Sequence, residues 1–149
     1  MEKKMPQAGE PASPTLQRKP KPTHHILVAD DDPLICMLHG EILAESGYHV
    51  DAAEDGADAW ETLQLKNYHL LITDHEMPRM SGIELIKKMR AARMTLPVIM
   101  VSGVMPTQEL QEQPWLQINA IMHKPHHITE LLTTVKEVLD ATVSARSQD

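Results

Sequence analysis

The chain has 149 residues, 42% of them hydrophobic, with no Phe, ten Met and a formal net charge of −7; at roughly 150 residues per domain this is one domain. Its single cysteine, Cys36, rules out an intrachain disulfide, and no apolar run approaches the ~20 residues of a membrane span. A disulfide scaffold, a secreted domain and a membrane protein are therefore set aside, and a cytoplasmic protein is expected. The core must be aliphatic, with Met filling gaps. Charge is uneven along the chain. Residues 1–24 hold five Lys/Arg against two Glu, whereas residues 25–143 hold eight Lys/Arg against eighteen Asp/Glu. An acidic folded part repels nucleic acid, whose affinity rests on phosphate neutralisation, and suits metal ions or basic partner surfaces.

In chain order, residues 1–24 carry five of the eleven prolines and no apolar periodicity, the composition of a disordered, Pro-rich basic tail. Ile26-Leu27-Val28-Ala29 is an unbroken apolar run, as in a strand covered on both faces. Asp32 then offers an N-cap and Pro33 a first helical residue. Leu34, Ile35, Leu38, Ile42 and Leu43 recur at helical spacing as far as Gly47. Residues 48–53 read as a weaker, more polar strand at an edge. Residues 57–66 form a second helix with Trp60 and Leu63 inward. Leu70-Leu71-Ile72 is a third strand, and after the turn "MPRMSG" Ile83, Ile86 and Met89 mark a third helix. Residues 97–101 form a fourth strand. A short helix over 107–113 is stopped by Pro114. Residues 118–122 form a fifth strand. Ile128, Leu131, Leu132, Val135, Val138 and Leu139 mark a last helix ending near Val143, which leaves 144–149 as a short C-terminal tail. Five strand–helix units imply an α/β fold with a doubly wound five-stranded parallel sheet and helices on both faces.

In such sheets the ligand site lies beyond the carboxyl ends of the strands. That rule selects Asp30, Asp31 and Asp32 after the first strand, Asp74 after the third, Ser102 after the fourth and Lys124 after the fifth. The set suits phosphoryl transfer. Clustered carboxylates repel unless a cation sits between them, and oxygen-only ligands with open positions favour Mg²⁺. One carboxylate acts instead as nucleophile if an acyl phosphate forms, with Lys124 and Ser102 holding the equatorial oxygens. Taken singly, each residue has a plainer reading: Asp32 as a helix cap, Asp74 as a turn residue, Ser102-Gly103 as a loop. Their convergence at four strand ends carries the inference. His123, His126 and His127 read as surface imidazoles, and Cys36 as a small packed residue.

"ILVADDDPLI", "LLITDHEMPRMSGIEL", "PVIMVSG" and "MHKP" together resemble the receiver domain of two-component response regulators over residues 25–143. The resemblance implies a flavodoxin-like sheet of order 2-1-3-4-5. It also implies that Asp74 is the phosphoacceptor. Asp31 and Asp74 itself are then direct Mg²⁺ ligands, Asp30 acts largely through metal-bound water, and the backbone carbonyl of Glu76 is the third protein ligand. Ser102 becomes the switch hydroxyl, Lys124 the phosphate-pairing lysine, and a cis bond precedes Pro125. The donor is a sensor histidine kinase or a histidine phosphotransfer protein. The receiver is a switch, not a turnover enzyme: it catalyses only its own phosphorylation and dephosphorylation.

Three departures fall on the signalling face: Ile121 replaces the usual aromatic, Pro114 truncates the fourth helix, and the last helix lacks a good N-cap. With no room for an output domain after Val143, output is expected through contact with a downstream protein, without nucleic acid or membrane. A haloacid-dehalogenase-type phosphatase with its nucleophile at Asp30 is the enzymatic rival. A flavodoxin-like flavin protein is disfavoured because three aspartates repel phosphate. A degenerate receiver acting as a scaffold is kept open by Ile121.

Overall fold

The computed structural model describes residues 23–147. Its elements are β1 (His25–Ala29), α1 (Pro33–Glu45), β2 (His49–Ala53), α2 (Gly56–Leu65), β3 (Leu70–Thr73), α3 (Gly82–Ala91), β4 (Val98–Ser102), α4 (Thr107–Glu112), a 3-10 turn at Pro114–Leu116, β5 (Ala120–His123) and α5 (Ile128–Ser147). The five strands form one sheet of order β2-β1-β3-β4-β5, and every pairing is parallel. This is the doubly wound α/β arrangement expected from the strand–helix alternation, in the flavodoxin-like order that the resemblance implied.

Alternating side chains divide the core in two. Leu27, Ala29, Leu71, Val98 and Met100 face one way and pack with Leu63, Ile83, Ile86 and Met89 of α2 and α3. Ile26, Val28, Leu70, Ile72, Ile99 and Val101 face the other way and pack with Leu43 of α1 and Leu131, Val135 and Leu139 of α5. Burying each such Leu or Ile contributes about 1.5–3 kcal/mol, so the three strands that are buried on both faces, β1, β3 and β4, define the middle of the molecule. The more polar β2 takes an edge, where only Ala53 is fully buried.

Local signals set the helix ends. The Asp32 carboxylate accepts the Leu34 N–H at 3.0 Å and caps α1. Gly47 leaves α1 at φ +99°, a left-handed conformation that favours glycine. Ser81 and Glu84 form a reciprocal capping box at α3. Trp60 packs partly buried against the α2–α3 core with the Lys88 ammonium 5.8 Å from its ring.

Several boundaries differ from the sequence reading. His24 already takes part in the sheet edge, its carbonyl accepting the His49 N–H at 2.9 Å; the remainder of the expected tail, residues 1–22, lies outside the described residues. On α1 the inward residues are His39 and Leu43, while Leu34 and Leu38 are exposed. Strand β5 begins at Ala120, not Ile118, because Asn119 closes the sheet end with both its backbone N–H and its side-chain oxygen on Val98, each at 2.9 Å. Helix α5 continues to Ser147, past the Val143 at which apolar periodicity stops.

Candidate functional site

The carboxyl ends of β1, β3, β4 and β5 converge where the strand order reverses. Asp30 follows β1 and is 4% exposed; Asp74 follows β3 and is 8% exposed. Burying two carboxylates is costly unless each is bonded. Asp30 Oδ1 accepts the Asp32 N–H at 2.9 Å, and Asp74 Oδ1 accepts the N–H groups of His75 at 2.7 Å and Glu76 at 3.4 Å. The remaining oxygens share one cation. Lys124 Nζ lies 3.0 Å from Asp30 Oδ2 and 3.1 Å from Asp74 Oδ2. Asp31 is exposed beside them, and carboxylate oxygens of Asp30, Asp31 and Asp74 all lie within 4.8 Å of one another.

Electrostatics follow from this packing. Burial raises the Asp30 pKa above the ordinary carboxylate value, with its backbone hydrogen bond and Lys124 opposing and the Asp74 charge adding. For Lys124 burial pulls downward, but hydrogen bonds and charges from Asp30 and Asp74 outweigh it and hold the ammonium above its usual value. Three carboxyl groups thus gather around one ammonium. An all-oxygen donor set of this kind fits a hard divalent cation such as Mg²⁺.

The structure brings together Asp30, Asp31, Asp74 and Lys124 as expected. The peptide between Lys124 and Pro125 is cis, and the Lys124 N–H donates to the Ser102 carbonyl at 3.0 Å. Ser102 is fully buried, but its hydroxyl is turned to the loop after β4 and donates to the Val104 carbonyl at 3.0 Å. Glu76 is exposed and meets Asp74 through its backbone N–H. Asp32 is the α1 cap: its carboxylate serves the Leu34 N–H, and only its backbone N–H meets the cluster, at Asp30 Oδ1.

Other candidates fall outside it. His123 and His127 are exposed, as expected of surface imidazoles. His126 is half-buried, 5.3 Å from the His39 ring. The Cys36 thiol donates to the Asp30 carbonyl at 3.3 Å, and burial pushes its pKa up, leaving it a weak nucleophile. Two residues near the site were not singled out by the sequence. Arg79, in the loop after β3, pairs with Asp55 at the start of α2 through Nε–Oδ2 at 2.7 Å and Nη2–Oδ1 at 3.0 Å. The "EDG" at 54–56 is a cap signal before a helix and carries no hint of this partner.

Residues 26–136 match the family described as response regulator receiver domain. The response regulator receiver protein CpdR of Brucella abortus is 30% identical over 116 residues, which cover 78% of this chain and 97% of that protein. The sensor protein EvgS of Escherichia coli K12 is 34% identical over 113 residues, spanning 76% of this chain but only 9% of that protein. Among solved structures, the Francisella response regulator 1452 receiver domain superposes with a TM-score of 0.74 at 30% identity, covering 80% of this chain and 99% of that one. A CheY-like receiver from Methanospirillum hungatei gives 0.78 at 27% identity, covering 83% of this chain and 99% of that one. With the sheet order, the acidic cluster and its lysine in place, this chain belongs to the CheY-like response regulator receiver domains of two-component signal transduction.

Proposed function

We propose that the chain accepts a phosphoryl group from a phosphohistidine onto Asp74 and signals by contact with another protein. A receiver is not a conventional enzyme, and its family implies a histidine kinase as phosphodonor. The observation that carries the reading is the Lys124 bridge: one ammonium bonds both Asp30 and Asp74 while Asp31 adjoins them. Asp30, Asp31 and Asp74, with the backbone carbonyl of Glu76, would hold Mg²⁺. When bound, the cation supplies charge neutralisation for the phosphoryl oxygens.

The rest belongs to this chain's own groups. An Asp74 carboxylate oxygen attacks phosphorus, the O–P bond forms as the N–P bond of phosphohistidine breaks, and the departing imidazole nitrogen takes a proton from solvent. The His75 and Glu76 N–H groups hold Asp74 Oδ1, which leaves Oδ2, on the Lys124 side, to react. Lys124 transfers its ammonium from carboxylate to phosphoryl oxygens as charge moves there. Ser102 exchanges its bond to Val104 for one to the phosphoryl group, linking chemistry to the loop after β4. Water attack on phosphorus reverses the modification, releasing inorganic phosphate and restoring the Asp74 carboxylate. The acidic balance of the folded part makes a protein a better target than nucleic acid.

Incubation of this chain with acetyl phosphate and Mg²⁺ should add one phosphoryl group per chain, detected by intact mass. Asp74→Asn should abolish the addition. Undiminished labelling of that variant, or its transfer to Asp30→Asn as the sensitive one, would overturn the assignment and favour the phosphatase-like placement.

A further inference from the structure

We propose that Arg79 is a positioning residue for the phosphoacceptor, acting through the loop of residues 75–82 and resting on the assignment of Asp74 above. The loop leaves β3 at Asp74 and returns to α3 at Gly82. Its base is closed by the Gly82 N–H bonding the His75 carbonyl at 2.8 Å. At Gly82 the backbone runs so close that an added Cβ would lie 2.4 Å from the Asp74 carbonyl oxygen. The far end is held elsewhere. Arg79 sits at φ +67°, in the left-handed region that a long side chain seldom occupies. The Met80 N–H bonds the Pro78 carbonyl at 2.7 Å, a tight three-residue turn centred on Arg79.

Strain of this kind persists only where neighbours over-determine it, and here two do. The guanidinium forks onto both oxygens of Asp55, itself 5% exposed and fixed as the α2 cap by its bond from the Asp58 N–H at 2.8 Å. The charges of Glu54 and Asp58 also face the guanidinium, so the loop tip is pulled onto an acidic helix start. Beside the fork, Met80 presses its carbonyl on Gly56, where a Cβ would lie only 2.1 Å from that oxygen.

The tip therefore has one seat, and what the tip sets is the other half of the loop. His75 and Glu76 present their N–H groups to Asp74 Oδ1 from within it. With the base closed and the tip pinned to α2, residues 75–76 have little freedom to turn. The Asp74 carboxylate is thereby held with Oδ2 toward Lys124, and the Glu76 peptide is held for the cation. Release of the tip should loosen both without unfolding the sheet, because neither Arg79 nor its loop contributes to the two apolar cores except through Met77 and Met80.

The test uses the full chain and Mg²⁺ titration by calorimetry, with no phosphodonor, for wild type, Arg79→Ala, Arg79→Lys and Asp55→Asn. Asn still caps a helix but cannot hold the fork. Arg79→Ala and Asp55→Asn should each weaken Mg²⁺ binding roughly tenfold, the range for residues that orient metal ligands, with metal-free melting temperatures close to wild type. Arg79→Lys, a cation without the planar fork, should fall between. The double variant should bind no worse than either single one. Unchanged Mg²⁺ affinity in both single variants would overturn the proposal, as would affinity losses that track falling melting temperature. Wild type failing to bind Mg²⁺ would instead sink the phosphoacceptor assignment on which the proposal stands.

Discussion

His39 shows how one side chain can govern a pH response. It is 8% exposed on α1, its Nδ1 has no hydrogen-bond partner among the described residues, and the His126 imidazole and the Lys124 ammonium are its basic neighbours. Burial first, then electrostatic repulsion from the His126 and Lys124 side chains, lower its pKa from 6.5 to about 4. Between those values the unfolded chain takes up a proton that the folded chain refuses. Stability from this group is therefore full above pH 6.5 and is lost as pH falls toward 4, by up to about 3 kcal/mol. Urea melts at pH 7 and pH 4.5 should show a smaller loss for His39→Leu than for wild type; equal losses would show that other groups carry the acid sensitivity. The candidate site residues could be picked out because strand ends can: Asp30, Asp31, Asp74, Ser102 and Lys124 each stand at or just past the end of a short segment that reads as a strand. His39 was not legible, because α1 carries Leu34, Ile35, Met37, Leu38 and Ile42 around most of its circumference, and an apolar pattern that wide does not single out an inward face. Arg79 and Asp55 were hidden for a different reason: they lie 24 positions apart in loop and cap, where no periodicity operates.

At the scale of elements, the strands and helices followed from periodicity, and their errors follow from where it fails. Strand β5 was shifted because Ile118 is apolar yet precedes the strand, packing on the core from the approach to it. Helix α4 is the weakest element. It has six residues, no side-chain cap and no buried residue, and an isolated helix of that length is unstable in water. On its far side the 3-10 turn is fixed. Arg90 donates to the carbonyls of Leu116 at 2.8 Å and Gln117 at 3.1 Å while also holding Met94 and Leu96 at 2.8 and 2.9 Å. A pull of Ser102 away from Val104 must then be taken up between β4 and that turn. Ile121, 47% exposed and stiff at χ1, has no ring to move. A phosphoryl mimic should change amide exchange most over residues 103–113 and little at Ile121; the reverse pattern would refute this route. The start of α3 is the opposite case, with no room to move. Gly82→Ala sets a Cβ 2.4 Å from the Asp74 carbonyl oxygen and 3.0 Å from the His75 Cα. It should cost about 3 kcal/mol in a denaturant melt and lower Asp74 phosphorylation at temperatures where the variant stays folded.

Over the whole molecule, opposing demands meet at one end of the sheet. Three carboxylates crowd there on a domain already rich in acid, and Lys124 is paired with two of them, Asp30 and Asp74. A ligand that binds only the folded state stabilises it by mass action, and relief of carboxylate repulsion adds to that gain. Millimolar Mg²⁺ should raise the melting temperature of wild type, and Asp31→Ala should remove the rise while leaving the metal-free value near or above that of wild type. A melt indifferent to Mg²⁺ would argue against a cation site. No helix among the described residues is long and apolar enough to cross a membrane.

The Lys124 bridge also orders events in time. Its ammonium reaches Asp30 across 94 positions of sequence and Asp74 across 50. Contacts so distant along the chain come late, since the entropy of closing those loops must be met before the contacts form. Local helices and the shorter-range β1–β2 pairing, such as His25 with His49, can assemble with the acidic pocket still lacking its counter-charge. During refolding, Mg²⁺ binding and labelling by acetyl phosphate should therefore lag behind the recovery of helical circular dichroism. Competence to carry a phosphoryl group is then a mark of a chain that has finished folding.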